Sequence, residues 1–283
     1  MMSPHTTDTA LTDDRTAVPP SPADLETPPW DEVDWVPADA KLYPAPADDW
    51  YATIKPTLEA VFAAVLLLPA LPLIGLAWAA IKLSSPGPGF YVQTRTGRNG
   101  KPYRIIKIRS MRHCPTVAGN TAWAKLSGDE RITPVGKLLR VLHLDELPQL
   151  FNVLRGEMSL VGPRPERPEV IGKLGLAKRV PGYDQRLAVK PGVTGLAQVQ
   201  LPADSDITSV RHKVYYDLYH LVNQSVWLDA RICVATVLKA VFGPETLRKL
   251  LFLPTREQVC GQFLALLTPP ATEDESAANP ATA

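Results

Sequence analysis

Residues 60–81 read AVFAAVLLLPALPLIGLAWAAI, an uninterrupted apolar run bracketed by Glu59 and Lys82. A helix of that length rises about 33 Å, enough to cross a hydrocarbon core of about 30 Å. The rest of the chain must either leave this run against lipid or bury it, and every possible architecture has to answer that demand. A buried core helix is the competing reading, though such helices are usually shorter. Pro69 and Pro72 fall near the middle, where each removes a backbone donor and disfavours a straight helix. The segment can therefore span with a kink, or bend and return to the side it came from. Arg95, Arg98, Lys101, Arg104, Lys107, Arg109 and Arg112 follow it with no acid among them. That bias leans towards a C-terminal part on the cytoplasmic side, but it leaves both geometries open.

The remaining sequence is that of a folded protein with a polar tail. A hydrophobic content of 45% in 283 residues supports a substantial core. Residues 1–50 differ: they hold 11 Asp/Glu against Arg15 and Lys41, and 9 of the 29 prolines, which predicts a solvated, disordered spacer. Trp30, Trp35 and Trp50 leave room there for a docking or membrane-interface role. Cys114, Cys233 and Cys260 are widely spaced, with no CxxC and no histidine at ligand spacing, which argues against zinc or a disulfide framework. No basic stretch leads into an apolar core at the N-terminus, so no secretory signal is expected.

After the breaker-rich Ser84-Ser85-Pro86-Gly87-Pro88-Gly89, two β-prone runs flank Asn99-Gly100 and predict a hairpin. In the second run Tyr103, Ile105, Lys107 and Arg109 alternate onto one face, so two cations point the same way. A lipid-headgroup patch and a phosphate site explain them equally well. A nucleic-acid interface is not expected from a chain of net charge +1 with no aromatic platform among the cations. Thr133-Pro134 then predicts a capped helix running to about His143.

A second helix is predicted from about Asp145 to Arg155, with Leu147, Leu150, Phe151 and Leu154 on its packed face. This places Asp145 and Glu146 at a helix start, where unpaired amides favour negative charge. Capping alone would explain one such aspartate. Three cationic features point further: Arg140 just before the pair, the Lys107/Arg109 strand, and Arg164 held extended between prolines in VGPRP. Carboxylates framed by cations suit a site that handles phosphates. The glycines of KPGVTG, residues 190–195, could admit a ligand to the backbone or serve an ordinary connection.

Four stretches then fall into a known order: RTGRNGKPYRIIKIRSMR, RITPVGKLLRVLHLDELPQLFNVLRGEMSLVGPRPERPE, RLAVKPGVTGLAQV and YYDLYHLVNQSVWLD. Together, over about residues 57–240, they resemble the bacterial sugar transferases that act as monotopic polyprenyl-phosphate phosphoglycosyl transferases. The resemblance implies transfer of a sugar-1-phosphate from a UDP-sugar to undecaprenyl phosphate, release of UMP, and initiation of exopolysaccharide, O-antigen or other lipopolysaccharide-type surface glycans. It implies Asp145 as the nucleophile and Glu146 as a ligand of Mg2+. Lys107, Arg140 and Arg164 match family cations near the phosphates, and Arg109 joins them as a substrate-binding candidate from the strand pattern. It also implies a re-entrant helix bent at a Ser-Pro; here the matching pair is Leu71-Pro72, which keeps only the proline.

The expected architecture is an α/β fold, mostly helical with a small β-hairpin or sheet. It comprises a tail over 1–50, a Pro-broken membrane-inserted helix over 51–83, a catalytic domain over 84–240, and an amphipathic segment with a C-terminal tail over 241–283. Residues 226–267 carry apolar clusters with Arg231, Lys239, Arg248 and Lys249, and read either as helices lying on the membrane or as helices packed on the domain. The expected partners are UDP-sugar, undecaprenyl phosphate and membrane lipid, with a homodimer left open. The expected location is the bacterial inner membrane, catalytic domain on the cytoplasmic face. A membrane-bound UDP-sugar hydrolase and a non-enzymatic anionic-lipid scaffold are the alternatives.

Overall fold

The computed structural model describes Leu42 and residues 50–112, 131–239 and 241–267. Of the expected tail only Leu42 and Trp50 are in this set, and neither is spacer: Leu42 is buried in the core and Trp50 opens the first helix, while Cys114 and the last residues lie outside. The apolar run is the heart of one continuous helix, α1 (Trp50–Ser84), with Pro56, Pro69 and Pro72 inside it. At 35 residues it is about 52 Å long, and it ends where Ser85-Pro86-Gly87 stops further helical pairing. Its buried positions, Tyr51, Lys55, Glu59, Ala63, Leu67, Ala70, Ile74, Ala77 and Ile81, recur at three- and four-residue spacing and form one stripe from end to end. Each fully buried isoleucine or leucine of such a stripe contributes about 1.5–3 kcal/mol. The other faces stay apolar and exposed, as at Val61, Phe62, Val65, Leu68, Leu76 and Leu83. The helix is thus neither a fully buried core helix nor a free rod: one stripe grips protein and the other faces stay apolar and exposed.

Next come β1 (Phe90–Thr96) and β2 (Pro102–Ile108), the predicted hairpin, paired antiparallel with Tyr91 opposite Lys107. A 3-10 turn at Arg98–Gly100 joins them, with Asn99 and Gly100 both at positive φ, which explains the Asn-Gly choice. Helix α2 (Pro134–Val141) starts as expected, the Thr133 hydroxyl accepting from Gly136 N at 2.9 Å. Past the end of α2 the chain departs from expectation. His143 is left-handed, Leu144–Glu146 form a 3-10 turn, and α3 is only Gln149–Leu154 with Pro148 at its cap. The carboxylates therefore precede the helix instead of opening it. Three of the four residues predicted for the packed face, Leu147, Leu150 and Phe151, do pack on the core, Gln149, Asn152 and Val153 are buried with them, and only Leu154 is exposed.

Strand β3 (Ser159–Val161) leads through VGPRP to the short helices α4 (Pro168–Leu174) and α5 (Leu176–Arg179). Strand β4 (Gly192–Thr194) returns parallel to β3, Ser159 opposite Gly192 and Val161 opposite Thr194. The KPGVTG glycines serve this pairing and not a ligand. A Cβ on Gly192 would sit 2.2 Å from Gly162 N, and one on Gly195 would sit 2.2 Å from Gly162 O. Only bare backbone lets the two strands approach so closely, and their approach fixes where Arg164 emerges.

Helices α6 (Leu196–Gln200), α7 (Ile207–Val222) and α8 (Val226–Leu238) complete the body around the two small sheets. The packed body continues beyond residue 240. In α9 (Pro244–Leu250) Leu247 is buried, and in α10 (Arg256–Ala265) Val259, Cys260 and Phe263 are buried, with Phe263 stacked on Tyr215 of α7 at 3.8 Å. Of the two readings of residues 226–267, α10 follows the packed one. The α8–α9 region keeps Trp227, Val237, Val241, Leu250 and Phe252 exposed, beside Arg231, which lies over the Trp227 ring at 5.9 Å.

Candidate active site

The short turn that carries Asp145 and Glu146 packs directly on α1, on the end of α2 and on β2. Its shape comes from His143, whose left-handed backbone ends α2 abruptly and turns the chain back. Asn152 then fixes β2 against α3. It is fully buried; its Oδ1 accepts from Ile106 N at 3.1 Å and its Nδ2 donates to Arg104 O at 2.8 Å. Residue 107 is thereby held facing the turn. Lys107 Nζ donates to Glu146 Oε1 at 2.6 Å, and Arg164 Nη2 reaches the same oxygen at 3.4 Å. Glu146 Oε2 has no hydrogen-bond partner among the described residues.

The two carboxylates have different electrostatics. Burial opposes ionisation of Glu146, but Lys107 and Arg164 outweigh it and hold its pKa down at about 2. Asp145 is buried and has no hydrogen-bond partner among the described residues. Burial pushes its carboxyl above the usual aspartate range and Glu146 pushes the same way, while Lys107, Arg140 and His143 pull it back. One carboxylate is engaged and permanently charged. Its neighbour is desolvated, unengaged and more basic than an ordinary aspartate, which suits a nucleophile.

Five of the six sequence candidates meet here. Arg140 is close enough to favour ionised Asp145 and is steadied by Ser110, whose Oγ accepts from its Nε at 2.8 Å. Arg109 is elsewhere. Strand β2 ends at Ile108, and the Arg109 guanidinium donates to Ser85 O, Ser85 Oγ and Pro86 O at 2.6–2.9 Å. Its charge ties the end of α1 to the hairpin and is not offered to a substrate at the turn.

A second buried cluster was not anticipated. Asp229 on α8 accepts from Tyr51 Oη at 2.6 Å and pairs with Lys55 at 2.7 Å and His220 at 2.6 Å. On the next turn of α1, Glu59 accepts from Ser159 Oγ at 2.5 Å and Val161 N at 3.2 Å, while Lys55 donates to Val161 O at 3.0 Å. The cluster fastens the start of α1 to α7, α8 and to the strand that leads to Arg164. Its only sequence signal was a lysine and a glutamate at i, i+4 just before an apolar run, which reads as ordinary helix flanking.

Fold and site together set a carboxylate pair framed by Lys107, Arg140 and Arg164 against an apolar helix long enough to cross a membrane. Residues 50–243 match the family model described as bacterial sugar transferase, and the chain belongs to that family. It is 40% identical over 203 residues to the UDP-N-acetylgalactosamine-undecaprenyl-phosphate N-acetylgalactosaminephosphotransferase of Aeromonas hydrophila, covering 71% of this chain and 46% of that one. It is 43% identical over 185 residues to the UDP-glucose:undecaprenyl-phosphate glucose-1-phosphate transferase of Caulobacter vibrioides, covering 65% and 68%. Against the Escherichia coli protein of the same name it is 37% identical over 211 residues, covering 74% and 44%. The chain thus spans less than half the length of the Aeromonas and Escherichia relatives.

Proposed function

We propose that this protein transfers a sugar-1-phosphate from a UDP-sugar to undecaprenyl phosphate on the cytoplasmic face of the inner membrane, starting a surface glycan. The observation that carries the reading is the unequal carboxylate pair: Glu146 is bound by Lys107 and Arg164, and Asp145 beside it is buried and unengaged. Asp145 attacks the phosphorus that bears the sugar, and the bond from that phosphorus to the UMP oxygen breaks. UMP leaves with the electron pair. An oxygen of undecaprenyl phosphate then attacks the same phosphorus, the aspartyl bond breaks, and the Asp145 carboxylate is restored. No general base is needed, because both nucleophiles are already anions. Lys107, Arg140 and Arg164 offset charge on the diphosphate and on departing UMP.

The donor set suits Mg2+. Glu146 stays ionised and has one oxygen without a protein partner among the described residues, and this metal is commonly held by one or two carboxylates together with substrate phosphates. Among the described residues no cluster of three metal-ligating side chains exists, so phosphate oxygens would complete its shell. When bound, it would neutralise charge on the diphosphate.

α1 runs unbroken through Pro69 and Pro72, where the resemblance implied a bend, and its packing supports a helix held along the domain with its exposed apolar faces towards lipid. Its buried stripe runs from Tyr51 to Ile81, and a helix crossing the whole bilayer would draw the attached domain into lipid. The exposed apolar residues of α1 and of the α8–α9 region support lipid contact on the same body. This brings the turn to the depth at which the acceptor's phosphate lies. Purified protein in nanodiscs should release UMP from at least one UDP-sugar, and release should rise on adding undecaprenyl phosphate. Release that is independent of acceptor would mark a hydrolase, and none with any UDP-sugar would mark a lipid-binding scaffold.

A further inference from the structure

Leu42 lies ahead of the first helix in sequence, yet its side chain is only 7% exposed. It is seated against α7 and the turn that follows α5. Gly182, at a φ of +74°, stands between it and Leu218: a Cβ added to this glycine would sit 2.5 Å from Leu42 Cδ1 and 2.6 Å from Leu218 Cδ1. Pro181 and Tyr183 are buried on either side of the glycine. The seat thus closes tightly on one aliphatic side chain, and filling it takes a leucine out of water.

The seat and the start of α1 share a support. Leu218 is two residues from His220 on α7, and His220 pairs with the Asp229 that accepts from Tyr51. Eight peptide steps separate Leu42 from Trp50. Such a length spans up to about 28 Å, so a chain leaving the seat reaches α1 of the same molecule easily.

The surroundings of the seat are cationic. Lys173, Lys178 and Arg179 are exposed at the ends of α4 and α5, and Arg211 of α7 reaches Arg179 O at 3.5 Å. Glu169 and Asp184 are the acids of the same stretch. The segment just ahead of Leu42 has the opposite bias, with Asp31, Glu32, Asp34 and Asp39 against Lys41.

From the seat and this complementarity we propose that residues 31–42 are an arm that docks in cis on the α5–α7 face, plugged in by Leu42 and held by its carboxylates against Lys173, Lys178, Arg179 and Arg211. Docking makes the acidic segment part of the body. It also gives the carboxylates cationic partners on the protein, whereas a leaflet of anionic lipid repels them.

Trypsin reads the docking directly, because the bond after Lys41 adjoins the seated leucine. The full chain is held one copy per phosphatidylcholine nanodisc, and a free peptide of residues 31–49 supplies the undocked rate for the same bond. The bond should be cut at least about tenfold more slowly in the protein, since cleavage requires the leucine to leave its seat. Leu42→Asp should abolish that protection, judged against a peptide with the same change. Lys178→Gln with Arg179→Gln leaves the core untouched and should speed cutting about threefold. Neutralising Asp31, Glu32, Asp34 and Asp39 to Asn or Gln should lose a similar share of the protection, and combining the two sets should fall well short of the product, as expected of groups that act on each other. Cutting as fast in the unaltered protein as in the peptide would overturn the docked arm. Fully multiplicative effects of the two sets would overturn its charge contact, and protection that appears only with two or more copies per disc would overturn docking in cis.

Discussion

Two lysine–carboxylate clusters in this molecule use the same residue types to opposite ends. Around Asp229, every group is satisfied: Lys55, Tyr51 and His220 converge on it, and Glu59 is capped by Ser159 and Val161. Around Glu146, two cations share one oxygen and the adjacent Asp145 is left without a hydrogen bond among the described residues. The first arrangement is a fastener, because breaking any part of it strands a buried charge. In the second, under the proposed reaction, the stability given up at Asp145 serves reactivity. What separates a structural ion cluster from a chemical one here is therefore the unpaired member and not the residue composition.

Exchanging charge for amide in each cluster should pull the two apart most strongly. Asp145→Asn should lower UMP release by about a thousandfold or more without loss of thermal stability. The sign follows from its raised pKa. An acid whose folded pKa is raised stabilises the fold only below its unfolded pKa, and that contribution is lost as pH rises. At neutral pH the ionised side chain is a cost, so removing it should hold Tm or raise it. Asp229→Asn should do the reverse. Its pKa is lowered because His220 and Lys55 outweigh the burial that raises it. Its contribution is therefore present above the unfolded pKa and lost as pH falls. The variant should lose about 3 kcal/mol by denaturant unfolding, and the activity of whatever remains folded should change little.

Smaller effects separate the clusters further. Asn152→Ala removes the clamp that sets Lys107 towards Glu146 and should cost about 1–3 kcal/mol of stability, accompanied by a lower kcat. A loss of stability with kcat unchanged would mean that Lys107 needs no such positioning. The smallest expected effect is on pH. The acid limb of kcat/KM should lie above the ordinary aspartate range, since Asp145 must ionise while Glu146 is charged down to about 2. Glu146→Gln removes a neighbouring negative charge and frees Lys107, so residual activity should show that limb at lower pH.

Local chemistry was legible where it lay within one short stretch. The Asn-Gly turn, the Thr133-Pro134 start, the Asp145-Glu146 pair and the PRP arginine could each be read from adjacent residues. What could not be read depended on partners far apart in sequence. Arg109 looked like a twin of Lys107 by alternation, yet the strand stops one residue earlier and Ser85 captures it. Lys55 and Asp229 come from opposite ends of the chain, and neither carries a local sign of the other. The KPGVTG glycines left a ligand approach and an ordinary connection equally open, because spacing cannot reveal that another backbone fills the space. For the α10 residues the pattern could not choose between membrane and domain, and their apolar face meets α7, as the Phe263–Tyr215 stack shows. The long helix α1 was legible as apolar, but its protein-gripping stripe was not, because nearly every position around it is apolar too.

Whether Asp145 forms a bond to phosphorus can be read by rapid-quench trapping. Enzyme is mixed with UDP-sugar carrying radiolabel in the phosphate next to the sugar, without acceptor, and protein-bound label is counted within the first turnover. Near-stoichiometric label is expected on the Asp145 enzyme, with transfer to lipid on adding undecaprenyl phosphate, and none is expected on Asp145→Asn protein. Label on the Asn variant, or acceptor-dependent turnover with no label ever bound to the Asp145 enzyme, would contradict a covalent role for this aspartate.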